Sequence, residues 1–180
     1  MKRSSLFLII GGIFISLVGA TLHFAFEWSN WLPIAIIAPV NESPWEHLKL
    51  TFWPAMFILI FEYFYVYKKD KPNNFTISRT VGIIVMPIVI LTIYYSYTSI
   101  LKVESFLPFD ILSFFIAVVV GQLVSYTLYR AKQIKENVDK YSSLTLLAIA
   151  TIFIIFTFFP PQIPLFNDSY IGGYGIINLL

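Results

Sequence analysis

Five times along the chain polar residues nearly disappear for about twenty positions, at residues 5–26, 48–67, 80–101, 109–129 and 142–159. Roughly 20 apolar residues are what a helix needs to cross a ~30 Å hydrocarbon core. The pattern therefore predicts an all-α membrane helix bundle of five transmembrane helices joined by short loops, forming one domain over residues 1–180. Between the first two runs lies WLPIAIIAPV, residues 31–40. This apolar stretch, interrupted by two prolines, is too short to span and reads as an interfacial or re-entrant segment. Pro160, Pro161 and Pro164 stop the fifth helix. The tail beyond them, LFNDSYIGGYGIINLL, carries Asp168 as its only charge. So apolar a tail is expected to fold back over the outer face of the bundle, bringing Asp168, Tyr170 and Tyr174 toward the first connector.

Composition supports the membrane assignment: 58% of residues are hydrophobic, 18% aromatic and only 12% charged, with a mean hydropathy of +0.78. Soluble domains run at roughly 45–50% apolar. Of the twelve Lys and Arg, ten fall on one side of the expected bundle: Lys2, Arg3, Lys68, Lys69, Lys71, Arg79, Arg130, Lys132, Lys135 and Lys140. Lys49 and Lys102 fall on the other. Cytoplasmic loops attract basic residues, so the N-terminus is expected inside and the C-terminus outside. The clusters read as topology signals and require no nucleic-acid partner. Lys2-Arg3, the first run and Val18-Gly19-Ala20 imitate a secretory signal, but an apolar run of about 21 residues exceeds the about 7–15 of a signal core, so the helix is expected to be retained. There is no cysteine, hence no disulfide, thiolate nucleophile or Cys-ligated metal.

Trp28, Trp31, Trp45 and Trp53 crowd around the first connector and suit the headgroup level, where an indole ring is buried and its N–H stays wet. Pro54 and Pro87 are expected to kink their helices. Glu62 and Gln122 are polar side chains within spans. A charged carboxylate at a helix centre costs ~2.5–3.5 kcal/mol on insertion scales. Glu62 is thus expected to be protonated, near the interface, or paired with Gln122 or a tyrosine.

Several motifs fail. GGYG at 172–175 lacks the second spanning helix of a potassium filter. Asn41-Glu42-Ser43 is followed by Pro44 and Asn74-Phe75-Thr76 is expected in the cytoplasm, which removes both as glycosylation acceptors, and Asn167-Asp168-Ser169 carries no weight alone. In SPWEH, Ser43 stands where an inverted zinc-protease motif needs a histidine.

What survives is NESPWEHLK, residues 41–49. Ser43-Pro44-Trp45-Glu46 reads as a capping box, with Ser43 as N-cap, Pro44 at N1 and Glu46 reaching back to the Ser43 amide. Lys49, three residues on, is placed to pair with Glu46. Capping leaves Asn41, Glu42 and His47 over. The first helix ends with His23 and Glu27 on one face, and consecutive short-connected helices pack side by side. Both histidines of the chain are therefore expected at one outer level, with Glu42 and Asp168 beside them. His23, His47, Glu42 and Asp168 form a candidate metal set for a divalent ion such as zinc. His23, Glu27, Glu46 and His47 form a candidate catalytic set, and Asn41, Trp45 and Tyr170 candidate substrate contacts.

N-E-S-P-W-E-H, with the closing P-L-F-N-D and Y-G-I, resembles a family of small bacterial integral membrane proteins of uncharacterised function that carry an Asn-Glu-Ser-x-Trp-Glu-His stretch and a Pro-Leu-Phe-x-Asp tail. A second resemblance, over His23, Glu27, Trp28 and then Glu46, Trp53, Pro54, is to the superfamily of sterol isomerases and the sigma-2 receptor; the glycine of its turn is missing and the proline comes one position early. This second resemblance implies a membrane cavity where acidic groups face an amine or carbocation-like ligand, with His23, Glu27 and Glu46 as proton shuttles.

Three function classes follow. The foremost is a membrane protein whose outer-leaflet His/carboxylate site binds or processes a lipid-like or small amphipathic substrate by metal-assisted or acid/base chemistry. A transporter or solute-binding component using Glu62 and Gln122 is the second. The third is a structural or partner-binding protein without catalysis.

Overall fold

The computed structural model describes residues 3–68, 73–134 and 137–177. Lys2, Lys69, Lys71 and Lys135, used above to orient the chain, lie outside the described residues, as does 178–180 of the tail. Among the described residues six α-helices follow in order: α1 (Arg3–Ser29), the single turn α2 (Leu32–Ala35), α3 (Pro44–Glu62), α4 (Phe75–Leu101), α5 (Leu107–Arg130) and α6 (Asn137–Phe158). A π-helical turn, Tyr63–Tyr67, prolongs α3, and a 3-10 turn, Pro164–Phe166, begins the tail. The fold is all-α, and all but α2 are long and apolar enough to cross a membrane: Phe7–Ser29, Pro44–Tyr67, Phe75–Leu101, Leu107–Arg130 and Tyr141–Phe158.

In hydrocarbon a backbone must satisfy its own hydrogen bonds, which a helix does. Polar side chains on the lipid-facing surface follow the same rule. The hydroxyls of Thr21, Thr92, Thr127 and Thr151 each donate to the carbonyl four residues back at 2.7–2.9 Å, so none is left bare among exposed apolar neighbours.

All five long helices contribute to the core, among them Ile15, Phe52, Met86, Ala117 and Phe153. Small residues permit the closest crossings, as between membrane helices generally. A Cβ added at Gly82 of α4 would sit 2.7 Å from the Gly121 carbonyl of α5, and one added at Gly121 would sit 2.7 Å from the Gly82 carbonyl. Gly19 plays this part for α1. Pro54 has no N–H to offer the Leu50 carbonyl four residues back, and Gly19 lets α1 pass directly over that freed oxygen.

α4 starts five residues before its apolar run because Ser78, Arg79 and Thr80 turn inward and are buried. Arg79, expected in a cytoplasmic loop, instead lies inside the bundle. Its Nε stands 2.6 Å from Glu62 Oε2, its Nη2 donates to Glu62 Oε1 at 3.1 Å, and its Nη1 donates to Ser125 Oγ at 2.7 Å. The partner of Glu62 is thus a cation rather than Gln122 or a tyrosine, which compensates the burial of a carboxylate far better. Gln122 packs against Gly11 of α1. Nor do all four indoles line the interface. Trp28 and Trp31 are exposed, whereas Trp45 and Trp53 pack against the core, Trp45 among Phe153, Phe156 and Phe166.

Candidate functional site

The ends of α1, α4 and α6 and the beginnings of α3 and α5 meet at one end of the bundle, and the tail lies there too. The 31–40 segment folds in at this end. Ala35 at the end of α2, and Ala38 and Val40 in the turns after it, are buried with Phe26 of α1. Lys49 is completely buried beneath them, and its ammonium donates to Ala35 O at 2.9 Å, Ala38 O at 3.3 Å and Glu46 Oε2 at 2.6 Å. The same carboxylate oxygen accepts the Val40 N–H at 3.0 Å. Lys49 therefore pairs with Glu46 as expected, but the capping box is only half present. Ser43 Oγ accepts from the Glu46 N–H at 3.3 Å, while the Ser43 N–H donates to Asn41 Oδ1 at 2.9 Å. Glu46 is drawn away from that amide by Lys49 and Val40.

Next comes a clasp with the tail. Asn41 Nδ2 donates to the Gly175 carbonyl at 2.8 Å. Asp168 Oδ2 accepts the Glu42 N–H at 2.9 Å, and Oδ1 accepts the N–H groups of Tyr170 and Ile171 at 2.8 and 2.9 Å. Gly172, Gly173 and Gly175 have φ of 72°, 99° and 68°, a left-handed conformation that lets the tail double back. The tail is thereby tied to the connector between α1 and α3 at Asn41 and Glu42.

On this support stand the two histidines. His47 Nδ1 lies 2.9 Å from the Ser43 carbonyl, which can only accept, so Nδ1 carries the hydrogen and a neutral His47 presents a bare Nε2. That Nε2 is 3.2 Å from His23 Nε2 and 3.3 Å from Glu42 Oε2, and His23 Nε2 is 4.0 Å from the same oxygen. When Nε2 is protonated as well, the His47 imidazolium donates to Glu42 and holds its carboxyl below the usual carboxylate range. Two ring nitrogens and an anionic oxygen thus converge, an arrangement that calls for a shared proton or a metal cation. His23, Glu42 and His47 can each offer one ligand atom to the same ion. Ligands ~2.0–2.1 Å from a tetrahedral zinc stand ~3.3 Å apart, close to two of the three observed spacings. The side chains remain partly open at 29% for His23, 26% for His47 and 40% for Glu42.

The profile of a family of unknown function, DUF6512, matches residues 1–176. The chain belongs to the DUF6512 family. No curated protein and no solved structure matches it.

Within this DUF6512 chain the remaining candidates lie elsewhere. Asp168 is not brought to the histidine pair; its carboxylate is engaged by three backbone N–H groups. Glu46 faces Lys49, and Glu27 is exposed one turn beyond His23. Asn41 serves the clasp, Trp45 is packed among phenylalanines, and Tyr170 is exposed with its hydroxyl 3.5 Å from Ser105 Oγ. Sequence reasoning missed the roles of the Ser43 carbonyl, which orients His47, and of Lys49 as the anchor of the 35–40 segment. It also missed Asp110 of α5, whose carboxylate accepts from Tyr97 Oη at 2.5 Å and Ser105 Oγ at 2.6 Å at the same end of the bundle. A lysine three residues after a glutamate at a helix start was the available signal for the second of these.

Proposed function

We propose that this multi-pass membrane protein binds a divalent metal ion, zinc being the fitting example, through His23, His47 and Glu42. Its fourth position would serve a lipid-like or small amphipathic substrate at the outer leaflet. The carrying observation is the spacing of 3.2 and 3.3 Å around His47 Nε2, with its far nitrogen locked by the Ser43 carbonyl. A hydrogen bond on the second nitrogen is the usual support of a metal-bound histidine. Three protein ligands leave a tetrahedral ion one place, where it supplies Lewis acidity and lowers the pKa of bound water. The protein's own part is to present two neutral imidazoles from α1 and α3 and one carboxylate from the connector between them. Without a metal, the same three groups share a proton and act by acid/base exchange.

The outer-leaflet assignment rests on charge. Exposed Lys68, Arg130 and Lys132 lie at the end opposite the histidines, the side that cytoplasmic loops favour. The cavity implied by the sterol isomerase resemblance draws less support, since Glu46 is paired with Lys49 and Glu27 is exposed. The transport alternative retains Glu62 and Gln122, and loss of solute uptake in Glu62→Gln with metal binding intact would favour it. Elemental analysis of detergent-purified protein tests the metal reading: about one equivalent is expected in the wild type, and loss in His23→Ala and His47→Ala. A well-folded wild type that stays metal-free after incubation with zinc refutes it, and the structural or partner-binding alternative then gains.

A further inference from the structure

On the lipid-facing surface between α1 and α5 runs a groove of ≈ 410 Å³. Its floor is made of small residues of α1, Gly12 and Ser16, and its walls include Ile13 and Leu17 on one side and Phe115 and Val119 on the other. The walls stand out, with 56%, 66%, 46% and 58% of these side chains exposed. The floor is recessed: Val118 Cγ1 and Gln122 Cγ of α5 lie 4.0 and 3.9 Å from where a Cβ of Gly12 would be.

The groove is aligned with the metal site. At ~100° per residue, Ser16 and Gly12 both fall within ~20° of His23 about the α1 axis, ~10 and ~16 Å further down. Ala20, between Ser16 and His23, is exposed, so a small-residue track leads from the groove toward the imidazole. Nothing in this trough offers a string of hydrogen bonds, and at bilayer depth no water competes for it. Small floor residues would also admit a second helix, but only a lipid joins a hydrocarbon chain that fills the trough to a charged head at its upper end. At the upper end, a divalent ion with one carboxylate and two neutral imidazoles carries a net charge of plus one, which suits an anionic head.

We infer that the α1/α5 groove holds the acyl chain of an anionic phospholipid whose phosphate-bearing head reaches the His23/Glu42/His47 site. This inference rests on the metal reading above and narrows its substrate class.

The test uses the full chain in vesicles of phosphatidylethanolamine and phosphatidylglycerol, with a phosphatidylglycerol probe carrying a photoactivatable diazirine in its palmitoyl chain. Peptide mapping is expected to show label on residues 12–17 and 115–119 several-fold above equally exposed Ile88 and Leu147. Gly12→Leu with Ser16→Leu fills the floor and is expected to reduce groove label about five-fold without changing metal content. Removal of metal by His23→Ala is expected to weaken groove labelling, because the head loses its anchor. Uniform label over all exposed helix faces overturns the inference, and so does cross-linking of residue 12 to a second copy. Groove label unaffected by metal loss overturns the link between chain and head. A wild type that carries groove label but no metal sinks the metal reading, and the link with it, while leaving the chain site standing; the elemental analysis separates the two failures.

Discussion

Replacing Lys49 by Met tests the anchor beneath the candidate site. The side chain is 0% exposed and satisfies three acceptors, the Glu46 carboxylate and the carbonyls of Ala35 and Ala38. Methionine keeps most of the stem's volume and removes the charge. Glu46, 2% exposed, would then keep only the Val40 N–H, and two carbonyls would lose their donor. Removing one partner of a buried ion pair costs ~3–5 kcal/mol, because the remaining charge stays buried and uncompensated. At ~2–4 °C per kcal/mol for a chain of this size, the loss is ~6–20 °C in Tm. Thermal unfolding in detergent, followed by tryptophan fluorescence and circular dichroism, measures it. The double variant Lys49→Met/Glu46→Gln removes the stranded charge and should recover a large part of the loss. A single variant within ~2 °C of wild type, or a double variant no better than the single, refutes the view that charge compensation holds the 35–40 segment on α3.

Three further outcomes follow from the same geometry. Asp168→Asn places an amide N–H where Oδ2 accepts the Glu42 N–H, freeing the Glu42 backbone; metal affinity should fall ~10–100-fold, as for outer-shell partners elsewhere, in a zinc titration where an unchanged Kd would count against the clasp. Gly19→Ala thrusts a Cβ against the Leu50 carbonyl and the Phe114 ring, so a loss of ~1–3 kcal/mol is expected, whereas Gly12→Ala, with nearest atoms at 3.9 Å, should unfold at the wild-type temperature. Glu42, its carboxyl pKa lowered from 4.5 chiefly by the hydrogen bond to His47, contributes stability that is present above pH 4.5 and lost as pH falls through the depressed value; Glu42→Gln should flatten acid unfolding in that window, and identical acid profiles would show that the pair contributes nothing.

Much of this protein is written in its one-dimensional pattern. Crossing a hydrocarbon layer requires an apolar run of a minimum length whose backbone satisfies itself, so five runs become five helices whatever they pack against. Ser43-Pro44 likewise sets the start of α3 locally, since an N-cap oxygen and a proline at N1 need only their own turn. Even the meeting of His23 with His47 follows from two helix ends joined by a short connector. Side-chain partners were decided by tertiary structure. Arg79 looked like a loop charge until the bundle placed Glu62 and Ser125 within its reach. Glu46 looked like a capping residue until Lys49, Ala35, Ala38 and Val40 were gathered around it. Asp168, a candidate metal ligand from its sequence neighbours, is engaged in the fold by the N–H groups of Tyr170 and Ile171 in the tail and by that of Glu42 in the connector. A polar group buried in this bundle binds whichever complementary group lies closest, and closeness between residues far apart in sequence is set by helix packing, which no local pattern records.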